Sequence, residues 1–116
     1  MANLAKQKCV ACESGIGKLN DARTRELLQA VPGWEIGGGG GGELRRVFKF
    51  KDYYEVMAFV NATAWVSHRQ DHHPDLEVGY NQVTMRYSTH SAGGLTENDF
   101  ICAAKVNELL DQAPTL

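Results

Sequence analysis

Two adjacent histidines, His72 and His73, are the side chains of this sequence best suited to acid–base chemistry. Both lie in the stretch QDHHPD, where Asp71 precedes them and Asp75 follows Pro74. An unperturbed imidazole titrates near neutral pH, so each ring can donate or accept a proton under physiological conditions. The two flanking carboxylates could orient these rings or stabilise their charged form.

The other two histidines of the chain could extend this pair into a larger site. His68 lies four residues before His72, and residues at this spacing share one face of a helix. His90 comes at the predicted end of a strand, and a cleft can form where a strand end lies beside a helix end. Three interpretations of the cluster follow from this spacing.

The first interpretation is a solvated helix terminus, because the helix dipole favours histidine near a C-terminal end. The second is a metal site, since His-x-x-x-His is a ligand spacing that His90 or Asp71 could complete. The glutamate of an H-E-x-x-H hydrolase is, however, absent. The third is metal-free acid–base catalysis. Spacing alone does not choose among the three.

A long amphipathic helix is predicted to position this cluster. From residue 52 to about residue 72, apolar side chains recur at three- and four-residue spacing. The same register then reaches His68, Asp71 and His72, so the apolar stripe becomes an ionisable surface at its end. Pro74 disfavours helical geometry at His73, which predicts that the helix ends there.

The remaining segments predict a mixed α+β domain. Asn20 or Asp21 can cap a first helix that VPGW ends, and Thr96 begins a last helix with Asp99 at capping-box spacing. The stretches WEI, ELRRVFKF and DLEVGYNQVTMRYSTH are typical of strands, the last with a tight turn near Tyr80. The order α-β-β-α-β-β-α predicts a four-stranded antiparallel sheet with helices packed on one face.

Two segments are unusual in composition. Residues 1–18 show no periodicity and predict a loosely held N-terminal arm of a single domain, 1–116. Cys9 and Cys12 in this arm are either free thiols or half of a zinc site completed by a histidine, because Cys102 lies in a distant helical pattern. The six glycines of residues 37–42 separate two predicted strands and therefore predict a flexible hairpin loop. A phosphate-binding loop would precede a helix.

The overall composition excludes several functional classes. The 116 residues carry a formal net charge of −2 without a dense basic cluster, which argues against direct nucleic-acid binding. No run approaches the roughly 20 apolar residues of a membrane span, and the N-terminus has no apolar signal region. Three cysteines, an odd number, fit a reducing compartment better than a disulfide framework. We therefore expect a cytoplasmic protein that is not bound to a membrane.

A set of spaced residues in the second half of the chain resembles the signature of the pterin-4a-carbinolamine dehydratases. The matching residues are Asp71, His72, His73, Pro74, Tyr80, His90 and Asp99. The similarity extends through FKFKDYYEVMAFV upstream and STHSAGGLTENDF downstream, over about residues 34–110. It therefore covers about two thirds of the chain, including the predicted order of helices and strands.

The resemblance implies a hydro-lyase that uses neither a metal nor a cofactor. Its substrate would be 4a-hydroxytetrahydrobiopterin, a pterin-4a-carbinolamine, and its product quinonoid dihydrobiopterin. The family's essential histidines correspond to His72, His73 and His90, which are the expected catalytic residues. The expected substrate-binding residues are Asp71, Tyr80, Asp99 and His68.

Two positions depart from the family pattern. His68 stands where many members have an acidic residue, and Leu76 stands where an aromatic residue is common. The contacts that these positions make with the pterin in other members therefore do not transfer directly to this chain.

The resemblance also implies partners. We expect a homo-oligomer, either a dimer or a tetramer built from dimers, and a functional link to an aromatic amino acid hydroxylase whose pterin the enzyme would recycle. Some animal members also act as dimerisation cofactors of a homeodomain transcription factor. The alternative function is therefore a protein-interaction module on the same fold.

Overall fold

The structure of the protein, a computed structural model, describes residues 3–10, 17–38 and 42–112. Short 3-10 helices at Leu4–Lys6 and His90–Ala92 accompany the main elements. In chain order these are α1 (Asp21–Leu28), β1 (Glu35–Gly37), β2 (Glu43–Lys49), α2 (Tyr53–Gln70), β3 (Asp75–Val78), β4 (Gln82–Tyr87) and α3 (Glu97–Gln112). The predicted order of helices and strands is confirmed.

The four strands form one antiparallel sheet in the order β1-β2-β4-β3. In its centre, Leu44 of β2 pairs with Tyr87 of β4, and Phe48 pairs with Val83. All four of these side chains are buried, because one face of the central strands is covered by the helices. The predicted α+β fold, with helices packed on one face of a four-stranded sheet, is confirmed.

Aromatic side chains fix α2 against the sheet. Phe48 and Phe50 contact Phe59 of α2, with ring centroids 4.7 and 5.0 Å apart. Trp34 packs edge-on against Phe48, and its Nε1 donates a 2.8 Å hydrogen bond to Asn107 Oδ1 of α3. Full burial of an aromatic side chain stabilises a fold by about 1.5–3 kcal/mol. This packing determines where the end of α2 lies relative to β4.

Helix α2 is capped by Asp52 and ends earlier than predicted. The Asp52 carboxylate accepts a 3.0 Å hydrogen bond from the backbone N–H of Glu55. The helix ends at Gln70, because Asp71 adopts a left-handed conformation with φ of 52°. The chain therefore leaves the helical path three residues before Pro74. The prediction of an end near His73 was based on the proline alone and was wrong by that margin.

The N-terminal segment is packed, and the prediction of a loosely held arm is wrong for residues 3–10. Leu4 is buried, and Lys105 of α3 donates a 2.7 Å hydrogen bond to the carbonyl of Ala5. The Asn98 side chain accepts from the N–H of Val10 at 3.1 Å and donates to its carbonyl at 2.8 Å. Polar contacts with a distant helix leave no periodic pattern in the sequence. Cys12 lies outside the described residues.

The strands on either side of the glycine run pair as a hairpin, with Gly37 opposite Glu43. Gly38 has φ of 77°, a conformation that glycine adopts at little cost. The predicted loop residues 39–41 lie outside the described part of the chain. No helix within residues 3–10, 17–38 and 42–112 has both the length and the apolar character to cross a bilayer.

Candidate active site

The early end of α2 directs His72 into the protein. Its backbone N–H lies 3.3 Å from the carbonyl oxygen of Ser67, and its side chain is only 8% exposed. The imidazole stacks on the ring of Tyr87, with centroids 5.8 Å apart and planes 11° from parallel. His72 therefore does not lie on the exposed face of α2 with His68, as the four-residue spacing predicted. This removes the shared helix face on which a His-x-x-x-His metal site would depend.

Asp99, in the first turn of α3, binds His72 from behind. Nε2 of His72 donates to Oδ1 of Asp99 at 2.6 Å, and the carboxylate is fully buried. The other carboxylate oxygen accepts from the Thr89 hydroxyl and from the backbone N–H of Thr96, both at 2.9 Å. The Thr89 hydroxyl lies 2.9 Å from that of Thr96. One carboxylate thus holds the imidazole, the start of α3 and the end of β4 together.

The charge of Asp99 changes the acidity of the imidazole. Burial lowers the pKa of His72, but the hydrogen bond and charge of Asp99, together with the charges of Cys9 and Asp71, raise it by more, so the pKa lies above its ordinary value. Because Nε2 is bound to Asp99, Nδ1 is the ring nitrogen that remains for another partner. His72 is therefore suited to hold a proton near neutral pH and to present one nitrogen elsewhere.

A cavity of about 240 Å³ lies beside His72, between the end of α2 and the end of β4. Three of the four histidines line it, as does Asp71, and Asp99 lies behind His72. The complete lining is Asp71, His72, His73, Asp75, Arg86, Ser88, Thr89, His90 and Ser91. The three residues predicted to be catalytic therefore line one cavity, although His72 and His73 follow the end of α2 and His90 follows the end of β4.

Three of the predicted binding residues, Asp99, Tyr80 and His68, are not among those that line this cavity, and Asp99 reaches it only through His72. Tyr80 is 69% exposed in the turn between β3 and β4. His68 is exposed on α2, where its ring lies 5.6 Å from that of Trp65. A part for any of the three in substrate binding stays a prediction.

Arg86, Ser88 and Thr89 line the cavity but were not predicted as site residues. Arg86 is held by Glu77, with Nη2 and Oε1 2.5 Å apart, and its Nε lies 3.7 Å from a carboxylate oxygen of Glu43. Strand alternation offered a signal for two of the three, because Arg86 and Ser88 share the parity of His90 along the chain. Thr89 has the opposite parity and reaches Asp99 from the buried side.

Two other cavities differ in chemistry from this one. A cavity of about 300 Å³ shares Ser88, Thr89 and His90 with this one and is otherwise lined by Glu43 and glycines. Another, of about 590 Å³ and so larger than the histidine-lined cavity, has no histidine, and its Arg46 already donates to Asn107 at 2.7 Å. Size therefore does not identify the reactive site, whereas the convergence of titratable groups does.

Metal ligation was one interpretation of the histidine cluster. Among the described residues, no group of three or more histidine, cysteine, aspartate or glutamate side chains is placed to hold a metal ion. Cys9, half of the predicted C-x-x-C, lies 3.6 Å from the sulfur of Cys102 on α3. The two thiols were expected to be unrelated, and the fold brings them into contact.

Comparison with known sequences identifies the family. The sequence model described as pterin 4 alpha carbinolamine dehydratase matches residues 17–109. A relative from Stenotrophomonas maltophilia is 56% identical over 111 residues, which are 96% of this chain and 95% of that protein. One from Xanthomonas campestris is 54% identical over 112 residues, 97% and 94% of the two chains. Both are provisionally named pterin-4-alpha-carbinolamine dehydratase.

Two solved structures share the fold. A transcriptional coactivator/pterin dehydratase from Brucella melitensis is 34% identical, with a TM-score of 0.76 over 80% of this chain and 98% of that one. A pterin dehydratase-like protein, identified as a RuBisCO assembly factor in the alpha-carboxysome, is 27% identical, with a TM-score of 0.55 over 66% and 87%. Sequence and fold together confirm the resemblance inferred from the spaced residues. The chain belongs to the pterin-4-alpha-carbinolamine dehydratase family.

Proposed function

We propose that this protein is a hydro-lyase that dehydrates 4a-hydroxytetrahydrobiopterin to quinonoid dihydrobiopterin. The observation that carries the proposal is the convergence of His72, His73 and His90 on one cavity, with Asp99 bound to His72. The names of the relatives from Stenotrophomonas and Xanthomonas support the same activity.

The chemistry needs one acid and one base that both work near neutral pH. In a carbinolamine, the lone pair of the ring nitrogen expels the neighbouring hydroxyl once that oxygen is protonated, and water leaves. The nitrogen must then lose a proton to give a neutral product. The step is redox-neutral, so proton transfers at two positions account for it. General acid–base catalysis of this kind contributes about 10²–10⁴-fold in rate.

We assign the proton donor's part to His72. Its raised pKa favours the imidazolium, which can protonate the leaving hydroxyl through Nδ1 while Asp99 stabilises the charge through Nε2. His73 and His90 line the same cavity and supply the imidazoles that can accept the proton of the ring nitrogen. Arg86 adds a fixed donor to the wall of the cavity for a carbonyl or hydroxyl oxygen of the substrate.

The test follows the carbinolamine directly. An aromatic amino acid hydroxylase generates the substrate, and its dehydration is followed with and without the purified protein. We expect acceleration by the protein and a loss of about 10²-fold or more in His72→Ala. Glu35→Gln is the control, because Glu35 lies on the edge strand β1 and pairs with Arg45 at 2.8 Å, away from the cavity. No acceleration by the unaltered protein would overturn the proposal.

The wider setting of this activity is also a proposal. By regenerating a dihydropterin that a reductase can use, the enzyme would recycle the cofactor of an aromatic amino acid hydroxylase in the cytoplasm. The two free thiols, Cys9 and Cys102, support a reducing compartment. A homo-oligomer is supported by exposed apolar side chains on α2 and β3. The alternative, a pure interaction module, is less well supported, because it has no use for three histidines around one cavity.

A further inference from the structure

Two thiols from opposite ends of the chain lie in contact with each other. The sulfur of Cys9, in the N-terminal segment, lies 3.6 Å from the sulfur of Cys102 on α3, although 93 residues separate them in sequence. Cys102 is fully buried, whereas Cys9 is half-buried and so remains within reach of a small solute. The acid–base chemistry proposed for the cavity uses neither thiol.

The protein holds Cys9 in this position from several sides. The backbone N–H of Cys9 donates to the Gln70 side chain at the end of α2, at 2.9 Å. The next residue, Val10, exchanges two hydrogen bonds with the Asn98 side chain. The thiol of Cys9 also lies 3.6 Å from the carbonyl oxygen of Asn98, one turn before Cys102. The contact between the sulfurs is therefore part of the fold and does not depend on a free end of the chain.

We propose that Cys9 and Cys102 form a peroxide-reactive thiol pair that closes to an intramolecular disulfide. The sulfurs are already in van der Waals contact, and a disulfide needs them about 2.05 Å apart. Formation of the disulfide therefore requires the two sulfurs to approach by less than 2 Å. The N-terminal segment that carries Cys9 and the side chain of Cys102 can share this movement. The closed bond would join the N-terminal segment to α3 three residues after Asp99.

The pKa values of the two thiols are shifted in opposite directions, as a reaction between a nucleophilic and a resolving thiol requires. The hydrogen bond from Cys102 lowers the pKa of Cys9, and the charges of His72 and Lys105 add to this against the effect of burial. The hydrogen bond with Cys9 and burial raise the pKa of Cys102. Cys9 is therefore the nucleophile and Cys102 the thiol that completes the bond.

The reaction consumes one peroxide molecule for each disulfide. The Cys9 thiolate attacks one peroxide oxygen, the O–O bond breaks, and Cys9 becomes a sulfenic acid while the other oxygen leaves as an alcohol or water. The sulfur of Cys102 then attacks the sulfur of Cys9, and the hydroxyl leaves with the proton of Cys102 as water. Two thiols are oxidised by two electrons, and the O–O bond is reduced by the same two. Formation of the sulfenic acid also removes the Cys9 thiolate, whose charge opposes ionisation of Cys102.

The test uses hydrogen peroxide on the fully reduced, full-length protein, followed by alkylation and intact-mass analysis. We expect alkylation to add one group, at Cys12, the rest of the monomer's mass to be lower by two hydrogen atoms, and peptide mapping to find Cys9 joined to Cys102. Cys12→Ser should still form this bond, and Cys102→Ala should not. Reduction with dithiothreitol should restore the original mass.

Three outcomes would overturn the proposal. They are a disulfide between Cys9 and Cys12, oxidation of Cys9 to a sulfinic acid without loss of two hydrogens, and no reaction with peroxide. Mapping of the unaltered protein decides among them even where Cys102→Ala fails to fold. The outcome is independent of the dehydratase assay, so each proposal can fail without the other.

Discussion

Asp99 is the residue on which most of the site depends. It accepts hydrogen bonds from the His72 imidazole, the Thr89 hydroxyl and the Thr96 backbone N–H, so the polar atoms of a fully buried carboxylate are satisfied. Removal of any one donor would leave a buried, charged oxygen short of a hydrogen bond and would therefore lower the free energy of unfolding. The same carboxylate also sets the protonation of His72, so folding and acid–base chemistry are linked at this residue.

This link predicts how stability changes with pH. The pKa of His72 is raised in the folded state, so its contribution to stability is complete below its unfolded pKa of about 6.5. That contribution is lost as the pH rises through the higher folded value. In Asp99→Asn the largest charge that raises this pKa is absent, while burial still lowers it, so this fall should shrink or reverse.

The measurement is urea unfolding of both chains from about pH 6 to pH 9. Groups that titrate in the same way in the two chains cancel in the difference between their free energies of unfolding. An NMR titration of the His72 ring should show directly that its pKa falls in Asp99→Asn. An unchanged pKa would contradict the electrostatic account.

Thr89 is expected to be a positioning residue, because it contacts Asp99 and reaches His72 only through that carboxylate. Thr89→Val keeps the shape of the side chain but removes a hydrogen bond to a charged group. The free energy of unfolding should fall by about 1.5–3 kcal/mol, and the dehydration rate should fall with it, since Asp99 is less firmly held. Thr89→Ser restores the hydroxyl and should restore both. A rate that stays low in the serine variant would show that the methyl group matters and not the hydroxyl.

At the scale of single elements, the end of α2 shows what a sequence pattern can and cannot specify. The apolar repeat and Pro74 predicted a long helix that ends just before the proline, and the helix was found over Tyr53–Gln70. The break at Asp71 was not predicted, because non-glycine residues seldom adopt positive φ. That break turns His72 away from the face of His68 and into the core.

Asp71 is therefore expected to carry a local conformational cost. A left-handed conformation costs an L-residue about 1–2 kcal/mol, less for aspartate, and glycine avoids most of it. Asp71→Gly should raise the free energy of unfolding by about 0.5–1 kcal/mol, whereas Asp71→Val should lower it by at least as much. Urea denaturation of the two variants against the unaltered protein gives both values. Equal destabilisation by both substitutions would mean that the carboxylate, and not the backbone, determines stability here.

The N-terminal segment shows a second limit of sequence patterns. It is held to α3 by the Asn98 side chain, which bonds both backbone groups of Val10, and by Lys105, which binds the carbonyl of Ala5. Contacts between a side chain and a distant backbone follow no period, so nothing in residues 3–10 predicted them. The contact between Cys9 and Cys102 was missed for the same reason.

At the scale of the whole molecule, the periodicity of the apolar residues was enough to predict the fold but was not enough to predict which residues form the site. Alternation in β2 and β4 and the repeat in α2 define the faces that pack together, and those faces determine the sheet and its helices. Bringing His90 beside His72 requires the register of β4 against β3 and the path of the chain after Asp71. Neither the strand register nor the path of the chain can be predicted from the pattern of a single segment. Only the resemblance to a family therefore indicated that the histidines lie close together.

The surface of the molecule carries apolar side chains that the fold leaves uncovered. Tyr54 and Trp65 of α2 are 79% and 63% exposed, and Val78 of the edge strand β3 is 47% exposed. Every residue of β3 is exposed, so this strand also presents its outer backbone groups to a partner. Large exposed apolar groups together with an open sheet edge are typical of surfaces that associate.

We therefore expect the protein to assemble with itself through α2, and Trp65→Glu to oppose this assembly. Burial of Trp65 against a second copy would remove its apolar surface from water, whereas a glutamate there would have to lose its hydration without a partner. Light scattering coupled to size-exclusion chromatography should give a multiple of 12.8 kDa for the unaltered protein and a smaller mass for the variant. Lys49→Glu, which makes a charge change at an exposed end of β2, should leave the mass unchanged. If the unaltered protein is a monomer, the expected assembly is contradicted. If Trp65→Glu has the same mass as the unaltered protein, the interface lies elsewhere, and the edge of β3 is the next surface to test.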